Sequence, residues 1–181
     1  MKILFASDIH GDAACAKATL DVFDKEKAEK LILLGDLLYH GPRNDLPEHY
    51  APKEVIRLLN DRRENLCCVR GNCDGEVDQM VLDFPILSDS LLIWDHGHCF
   101  FITHGHHHNI QTPPPLGKGD ILIHGHTHVP AVTPFGNQNI YINPGSVTLP
   151  KENFPRSYML YEDGRFSIRD FDGNEFLHYT L

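Results

Sequence analysis

Residues 2 to 11 read Lys-Ile-Leu-Phe-Ala-Ser-Asp-Ile-His-Gly, an apolar run that ends in a carboxylate, an imidazole and a glycine. The apolar run predicts a short buried β-strand, and Asp12 is a suitable N-cap for the alanine-rich segment that follows to about residue 25. Two further apolar runs, at 31–34 and 66–69, alternate with a helix that opens at Pro52. This alternation of strands and helices is typical of a parallel α/β layer.

After about residue 86 the sequence changes to shorter apolar runs broken by Gly, Pro and Asp. These runs cover 90–95, 98–103, 121–124, 129–135, 139–142, 157–161, 165–171 and 175–179. Asp-Gly pairs at 163–164 and 172–173 are hairpin signals, so we expect a C-terminal meander on the same core. No repeat or linker separates the halves, and a length of 181 residues predicts one domain over 1–181.

Charge and cysteine content limit the classes of function. Sixteen basic and twenty-five acidic side chains give a net charge of −9, which disfavours a nucleic-acid polymer as partner. Five cysteines without a C-x-x-C motif indicate neither a disulfide scaffold nor a zinc finger. The N-terminal apolar run is too short for a signal peptide, and no stretch approaches the ~20 apolar residues of a membrane span. We therefore expect a cytoplasmic protein with no membrane partner.

Polar side chains follow five of the predicted strands. They are Asp8 and His10, Asp36, Asn72, His104, and His126 with His128, each beside a glycine. The carboxyl ends of strands in an open α/β sheet form the usual ligand site. Mixed oxygen and nitrogen donors suit Mn²⁺, Fe, Zn²⁺ or Ni²⁺, whereas Ca²⁺ prefers oxygen alone. If the D-x-H and H-x-H segments are extended, their paired side chains point to the same side and can reach one metal centre or two adjacent ones.

Each of these motifs has an ordinary structural explanation when it stands alone. A single Gly-Asp after a strand is usually a turn, and a single histidine is more often structural than a ligand. The ordered combination is far more specific. D-x-H, G-D, G-N, H-G and G-H-x-H resemble the signature blocks of the calcineurin-like metallophosphoesterase superfamily, over residues 1 to about 150. The segments 41–44, 71–74 and 143–146 (G-P-R-N, G-N-C-D and N-P-G-S) are similar to its small bacterial and archaeal phosphodiesterase branch.

The resemblance implies an α/β fold of two packed mixed β-sheets flanked by helices, in a four-layer α/β/β/α arrangement. It also implies two divalent metal ions, with Mn²⁺ expected and Zn²⁺, Ni²⁺, Co²⁺ or Fe as alternatives. One ion would bind Asp8, His10, Asp36 and His128, and the other would bind Asp36, Asn72, His104 and His126.

In this scheme a hydroxide between the two ions attacks phosphorus. Two dications, two aspartates and one hydroxide leave a formal charge of +1, which a phosphodiester neutralises and a monoester dianion exceeds. The sequence therefore favours small phosphodiesters as substrates. Phosphomonoesters stay open, as does a non-catalytic interaction scaffold like the superfamily's retromer subunit, although that subunit has lost metal-binding residues. A homo-oligomer is also left open.

Cys73 stands where many relatives carry a histidine that contacts the phosphate and protonates the leaving oxygen. A nucleophilic thiolate is disfavoured because the metal hydroxide fills that role, while a thiolate ligand stays open. We expect a missing general acid, which contributes about 10²- to 10⁴-fold, to restrict the enzyme to esters with acidic leaving groups. Asp36, Asn72 and Cys73 are therefore the candidate catalytic residues, with the contribution of Cys73 left open.

Other polar residues near these blocks are candidates for substrate contact or are structural. His40, Arg43, Asn44 and Arg70 are candidate substrate-binding residues, because arginine in particular binds phosphate oxygens in a bidentate manner. The run of His106, His107 and His108 is expected to form a pocket wall or an exposed loop. His124 is expected to face away from the metal site.

Overall fold

The computed structural model describes all residues, 1–181, and contains two β-sheets. The helices are α1 (Ala13–Glu26), α2 (Pro52–Asn60) and α3 (Glu76–Gln79), with a 3-10 turn at Arg63–Asn65. The strands are β1 (Lys2–Ala6), β2 (Lys30–Leu33), β3 (Leu66–Cys68), β4 (Leu91–Asp95), β5 (His98–Ile102), β6 (Ile121–Ile123), β7 (Ala131–Phe135), β8 (Asn139–Asn143), β9 (Ser157–Glu162), β10 (Arg165–Asp170) and β11 (Glu175–Thr180). All strands predicted from the apolar runs are present.

The six-stranded sheet has the order β11-β10-β9-β1-β2-β3. Its strands β1, β2 and β3 are parallel, which confirms the predicted α/β layer. β9 pairs antiparallel with β1, and β9 to β11 form the expected meander. The turn between β9 and β10 places Asp163 and Gly164 at φ 47 and 80. Positive φ at both central residues is what a type I′ hairpin turn requires, so the Asp-Gly signal was informative here.

The five-stranded sheet has the order β4-β5-β6-β8-β7, with parallel β5, β6 and β8 between antiparallel edge strands. The two sheets share one apolar layer. Phe100 of β5 is fully buried, and its ring lies 5.1 Å from that of Tyr161 and 5.2 Å from that of Phe166, both in the other sheet. Aromatic packing across this layer therefore holds the sheets face to face.

Helices α1 and α2 lie on the other face of the six-stranded sheet. Phe23 of α1 and Leu59 of α2 belong to a second apolar cluster with residues of β1 and β2. α1 begins after Asp12, whose carboxylate accepts the backbone N–H of Cys15 at 2.9 Å, as the predicted N-cap requires. The predicted class, packed mixed sheets flanked by helices, is confirmed. None of the helices has the length and apolar composition that crossing a bilayer would require.

Phe100→Ala should lower the free energy of unfolding by about 3 to 5 kcal/mol, because it empties part of the layer between the sheets. Trp94→Ala is the matched control on the neighbouring strand β4, where the side chain is 68% exposed, and should change stability by less than about 0.5 kcal/mol. Urea denaturation of both variants measures the difference. Equal losses would show that the inter-sheet layer does not have the importance assigned to it.

Candidate metal centre

The loops that follow the parallel strands of both sheets meet at one edge of the molecule. The loop after β1 is bound to the loop after β2, since the His10 N–H donates to the Asp36 carbonyl at 2.9 Å. It also contacts the five-stranded sheet, because the His126 N–H donates to the Asp8 carboxylate at 3.2 Å. All seven residues predicted as ligands lie in these loops: Asp8 and His10 after β1, Asp36 after β2, Asn72 after β3, His104 after β5, and His126 and His128 after β6.

Most of these side chains are withdrawn from solvent. Asp8, His10, Asp36, His104 and His128 are buried, with exposed fractions between 0 and 3%. His126 is half-buried, and Asn72 is exposed at the mouth of the cluster. Buried carboxylates and imidazoles at this density require partners that compensate their lost hydration.

Five of the seven residues have a left-handed backbone rather than an extended one. The values of φ are 61 at Asp8, 49 at His10, 56 at Asp36, 65 at His126 and 62 at His128. The condition of extended D-x-H and H-x-H segments is therefore not met, because β1 and β6 end before these residues and left-handed turns bring the side chains together. Each such position costs on the order of 1 to 3 kcal/mol and persists only where the surroundings enforce it.

Two glycines permit the loops to approach this closely. A Cβ atom at Gly71 would overlap the Asp36 carboxylate, and one at Gly125 would overlap the Ser7 hydroxyl. Neither glycine has positive φ, so the requirement here is space rather than backbone freedom.

One group of donor atoms surrounds Asp8. The Nε2 atom of His128 lies 3.3 Å from Asp8 Oδ1, and that of His10 lies 3.7 Å from the same oxygen. The two Nε2 atoms are 3.4 Å apart, and His10 Nε2 is 3.8 Å from Asp36 Oδ2. Ligands bound at 2.0 to 2.2 Å to one tetrahedral or octahedral ion are separated by roughly 3.0 to 3.5 Å.

The second group of donor atoms surrounds His104. Its Nε2 atom lies 3.5 Å from Asp36 Oδ2, 3.1 Å from Asn72 Oδ1 and 3.2 Å from Nδ1 of His126. Asp36 Oδ2 thus contacts both groups. Its position between them fits a carboxylate that bridges two ions.

The hydrogen bonds on the far side of the rings fix where the lone pairs point. The Nδ1 atoms of His10, His104 and His128 lie 2.8, 2.6 and 2.6 Å from the carbonyl oxygens of Tyr39, Leu34 and Leu149. A carbonyl only accepts, so each Nδ1 carries the hydrogen and each neutral ring directs an Nε2 lone pair into the cluster. Acceptor atoms facing one another at 3.1 to 3.4 Å repel unless a proton or a metal ion lies between them.

Each carboxylate has one oxygen held by the protein and one left for the cluster. Asp8 Oδ2 accepts from the Ser7 hydroxyl at 2.6 Å, while Asp8 Oδ1 is buried with no hydrogen-bond partner. Asp36 Oδ1 accepts the Cys73 N–H at 2.7 Å, which leaves Oδ2 toward the histidines. An orphaned buried oxygen beside imidazole lone pairs fits a divalent metal.

The electrostatics agree with a site built for positive charge. Burial alone would raise the pKa of Asp8 and Asp36, but their hydrogen bonds and charge interactions with His128 and His104 outweigh it and lower both values. Burial opposes protonation of His104, yet its hydrogen bond to Asp36 and the charge of Asp8 raise its pKa to about 9. A proton on Nε2 would compensate the buried carboxylates, and a divalent ion would displace that proton and take over the same role, because a ligating imidazole has to be neutral.

Sequence reasoning missed the residues that hold the ligand loops in place. The buried Asp74 carboxylate accepts the N–H groups of Asp36, Leu37 and Gly71 at 2.8 to 2.9 Å. The Ser146 hydroxyl donates to the Asp8 carbonyl at 3.1 Å. Both residues belong to segments, 71–74 and 143–146, whose sequences indicated the family resemblance but not this structural role.

A cavity of about 440 Å³ opens onto the cluster. Of the predicted substrate-binding residues, Arg43 and Asn44 line it, and Lys151 joins them without having been predicted. His40 and Arg70 do not line it. His40 packs against the rings of Tyr39 and Tyr50, and Arg70 Nε donates to the Asp74 carbonyl at 3.2 Å, so the geometry gives these two predictions no support.

Cys73 also lines this cavity, and it is half-buried. Burial, followed by the negative charge of Asp36, raises the pKa of the thiol to about 12. Its Sγ atom forms a group with donor atoms of His10 and Asp36 that all lie within 4.8 Å of one another. The alternative of Cys73 as a metal ligand therefore stays open by geometry.

The remaining histidines near the motifs have structural surroundings. His106 lies against His104, with ring centroids 5.3 Å apart, while His107 is exposed. His108 packs edge-on against Phe101. His124 stacks on Tyr141 at 4.3 Å, and none of its hydrogen bonds is to a predicted ligand.

Comparisons with known proteins agree with this geometry. The family described as the calcineurin-like phosphoesterase superfamily domain matches residues 1–163. Phosphodiesterase YfcE of Escherichia coli K12 is 43% identical over 168 residues, which cover 93% of this chain and 91% of the relative. A phosphodiesterase of Methanocaldococcus jannaschii is 28% identical over 135 residues, covering 71% and 74% of the two chains.

Solved structures show the same fold. A structure of the E. coli phosphoesterase YfcE superposes with a TM-score of 0.96 at 40% identity and covers 99% of both chains. Zinc-bound Vps29 of Entamoeba histolytica superposes with a TM-score of 0.59 at 20% identity, covering 99% of both chains, and shares the fold alone. On the family match and the 43% identity, the chain belongs to the calcineurin-like phosphoesterase superfamily.

Proposed function

We propose that this chain is a metal-dependent phosphodiesterase that uses two divalent ions to hydrolyse small phosphodiesters. The observation that carries the proposal is the set of imidazole lone pairs aimed at two buried carboxylates, Asp8 and Asp36. The 43% identity to a phosphodiesterase over nearly the whole chain supports the reaction class.

Two overlapping donor groups would hold the ions. Asp8, His10, Asp36 and His128 form one, and Asp36, Asn72, His104 and His126 form the other, so that Asp36 bridges. When bound, the ions supply an activated water as nucleophile and positive charge for the phosphate oxygens. Ser7, Asp74 and the backbone carbonyls orient the ligands, as outer-sphere partners do in other metal sites.

Arg43, Asn44 and Lys151 are proposed to contact the phosphate from the cavity wall. Both cations are exposed side chains at its mouth, where they can bind oxygens of the phosphate group. Two aspartates against two dications suit a singly charged diester better than a dianionic monoester, which is the alternative substrate class. The scaffold alternative is disfavoured because all seven expected ligands are present.

Several finer assignments stay predictions. They are manganese as the preferred ion, a cytoplasmic location and a single domain over 1–181, while a homo-oligomer is left open. The layer shared by the two sheets supports a single domain.

Removal of metal with a chelator should abolish activity, and addition of Mn²⁺, Ni²⁺, Zn²⁺, Co²⁺ or Mg²⁺ in turn should restore it to different extents. Bis(4-nitrophenyl) phosphate as diester and 4-nitrophenyl phosphate as monoester measure the preference, with the diester expected to be the faster substrate. If no ion restores turnover of either substrate, the enzyme proposal is contradicted and a non-catalytic scaffold is favoured.

Asp36→Asn should lower kcat/KM on the diester by at least about 100-fold, because loss of an outer-sphere partner alone costs 10- to 100-fold in metal sites. Bound metal, measured by elemental analysis, should fall with it. Asp172→Asn is the matched control, since this exposed residue lies in the turn before β11 and Asn-Gly preserves the turn. Unchanged metal content in Asp36→Asn would contradict the bridging role.

Cys73→Ala should retain most activity on diesters with acidic aryl leaving groups, since the thiol donates no proton in this proposal. Cys73→His should raise activity on alkyl diesters relative to aryl ones, because a general acid helps poor leaving groups by about 10²- to 10⁴-fold. Steady-state kinetics on an aryl and an alkyl diester give the ratio. A large loss with both substrates in Cys73→Ala would show that the thiol is catalytic or a ligand, and metal content separates the two.

A further inference from the structure

A second cavity, of about 690 Å³, adjoins the metal cavity. Asn72 and Cys73 line both cavities, so the two cavities adjoin at these residues. We call the second cavity the Cys73 groove, and its apolar wall is formed by Leu38, Tyr39, Ile56, Val77 and Val81.

Three of the five apolar side chains of the groove are largely exposed to solvent. Val77 is 74% exposed, Tyr39 43% and Val81 42%, and the neighbouring Met80 is 83% exposed. One exposed apolar side chain needs no explanation, but a group of them around a concave surface marks a binding site. The groove begins beside Asn72 and Cys73, at the edge of the metal cavity.

The charge of the groove differs from that of the metal cavity. Arg43 and Lys151 line the metal cavity, whereas Lys53 is the only cation on the groove wall. Glu76 and Asp78 face it with negative charge, and the Asp74 carboxylate is already occupied by three backbone N–H groups. An additional phosphate would be repelled there, while an uncharged ring would not.

We propose that the Cys73 groove binds the leaving alcohol of the diester and selects a flat, uncharged, apolar ring. The inference rests on the proposed phosphodiesterase function. It adds a second property of the leaving group, besides its acidity, that determines which substrates react fastest. The acidity of the leaving group affects how easily its bond to phosphorus breaks, whereas the groove would distinguish substrates by the size and polarity of that group. Its volume is in the range of sites for small organic groups.

Two substrates with the same methyl group and leaving phenols of similar acidity separate these criteria. Methyl 4-nitrophenyl phosphate has one ring, and methyl 4-methylumbelliferyl phosphate has two fused rings. In the wild-type enzyme, loaded with the most active ion, kcat/KM should favour the fused ring. The double variant Val77→Ser/Val81→Ser should reduce the ratio of the two kcat/KM values by about fivefold, because the larger ring loses more apolar contact.

Trp94→Ser is the matched control, since it removes an equally exposed apolar side chain from the edge of the five-stranded sheet. It should leave the ratio unchanged. A ratio in Val77→Ser/Val81→Ser equal to that of wild type would overturn the groove proposal while leaving the phosphodiesterase proposal intact. If wild type hydrolyses neither substrate with any ion, the proposed function itself fails.

Sedimentation velocity on wild type and the double variant tests the competing occupant, a second copy of the chain. A wild-type oligomer that dissociates in the variant, with an unchanged substrate ratio, would assign the groove to an interface and overturn the proposal. The same oligomeric state in both proteins, with the reduced ratio, supports a substrate site.

Discussion

Asp8 and Asp36 are buried in one cluster, and neither forms a salt bridge with lysine or arginine. Four of the predicted ligands are imidazoles, which carry full positive charge only when protonated, so the two carboxylates are not compensated by fixed cations. A divalent metal removes this conflict, because it attracts both the carboxylate oxygens and the imidazole lone pairs. The burial of negative charge, the tautomers of the rings and the closeness of the loops all follow from that single requirement.

Bringing the metal ligands this close together costs free energy, and part of that cost is backbone strain. Five ligand residues adopt left-handed conformations, and hydrogen bonds made by the side chains of Asp74, Ser146 and Thr148 hold the loops after β1 and β2, which contain three of them. The apolar layers between and beside the sheets supply the stability against which this strain is maintained. Function and stability therefore depend on different parts of the chain. The interiors of the strands form the apolar core, and the residues that follow the strands form the proposed metal site.

The sequence predicted the strand interiors well because burial leaves a local signal, an apolar run bounded by glycine and aspartate. It also predicted which residues follow the strands, since Asp8, Asp36 and His104 each stand at the end of such a run. The face-to-face packing of two sheets was predicted only from the family resemblance. The left-handed loops, the Asp74 carboxylate and the groove beside Cys73 could not be predicted, because each depends on residues from segments far apart in the chain. Val77 and Tyr39, for example, lie 38 residues apart in the sequence and line the same groove only in the folded chain.

The hydrogen bond from His104 to the Leu34 carbonyl joins the loop after β5 to the end of β2, and so connects the two sheets. His126 makes a similar connection to Asp8 through its backbone N–H. A metal ion bound among these groups would act as a non-covalent cross-link between the two sheets, in addition to their shared apolar layer and the hydrogen bond from the Tyr161 hydroxyl to Asp95. By thermodynamic linkage, such an ion stabilises the folded state by an amount that grows with the logarithm of its free concentration. The metal site would then also stabilise the fold, and the free concentration of metal would influence the stability of the contact between the two sheets.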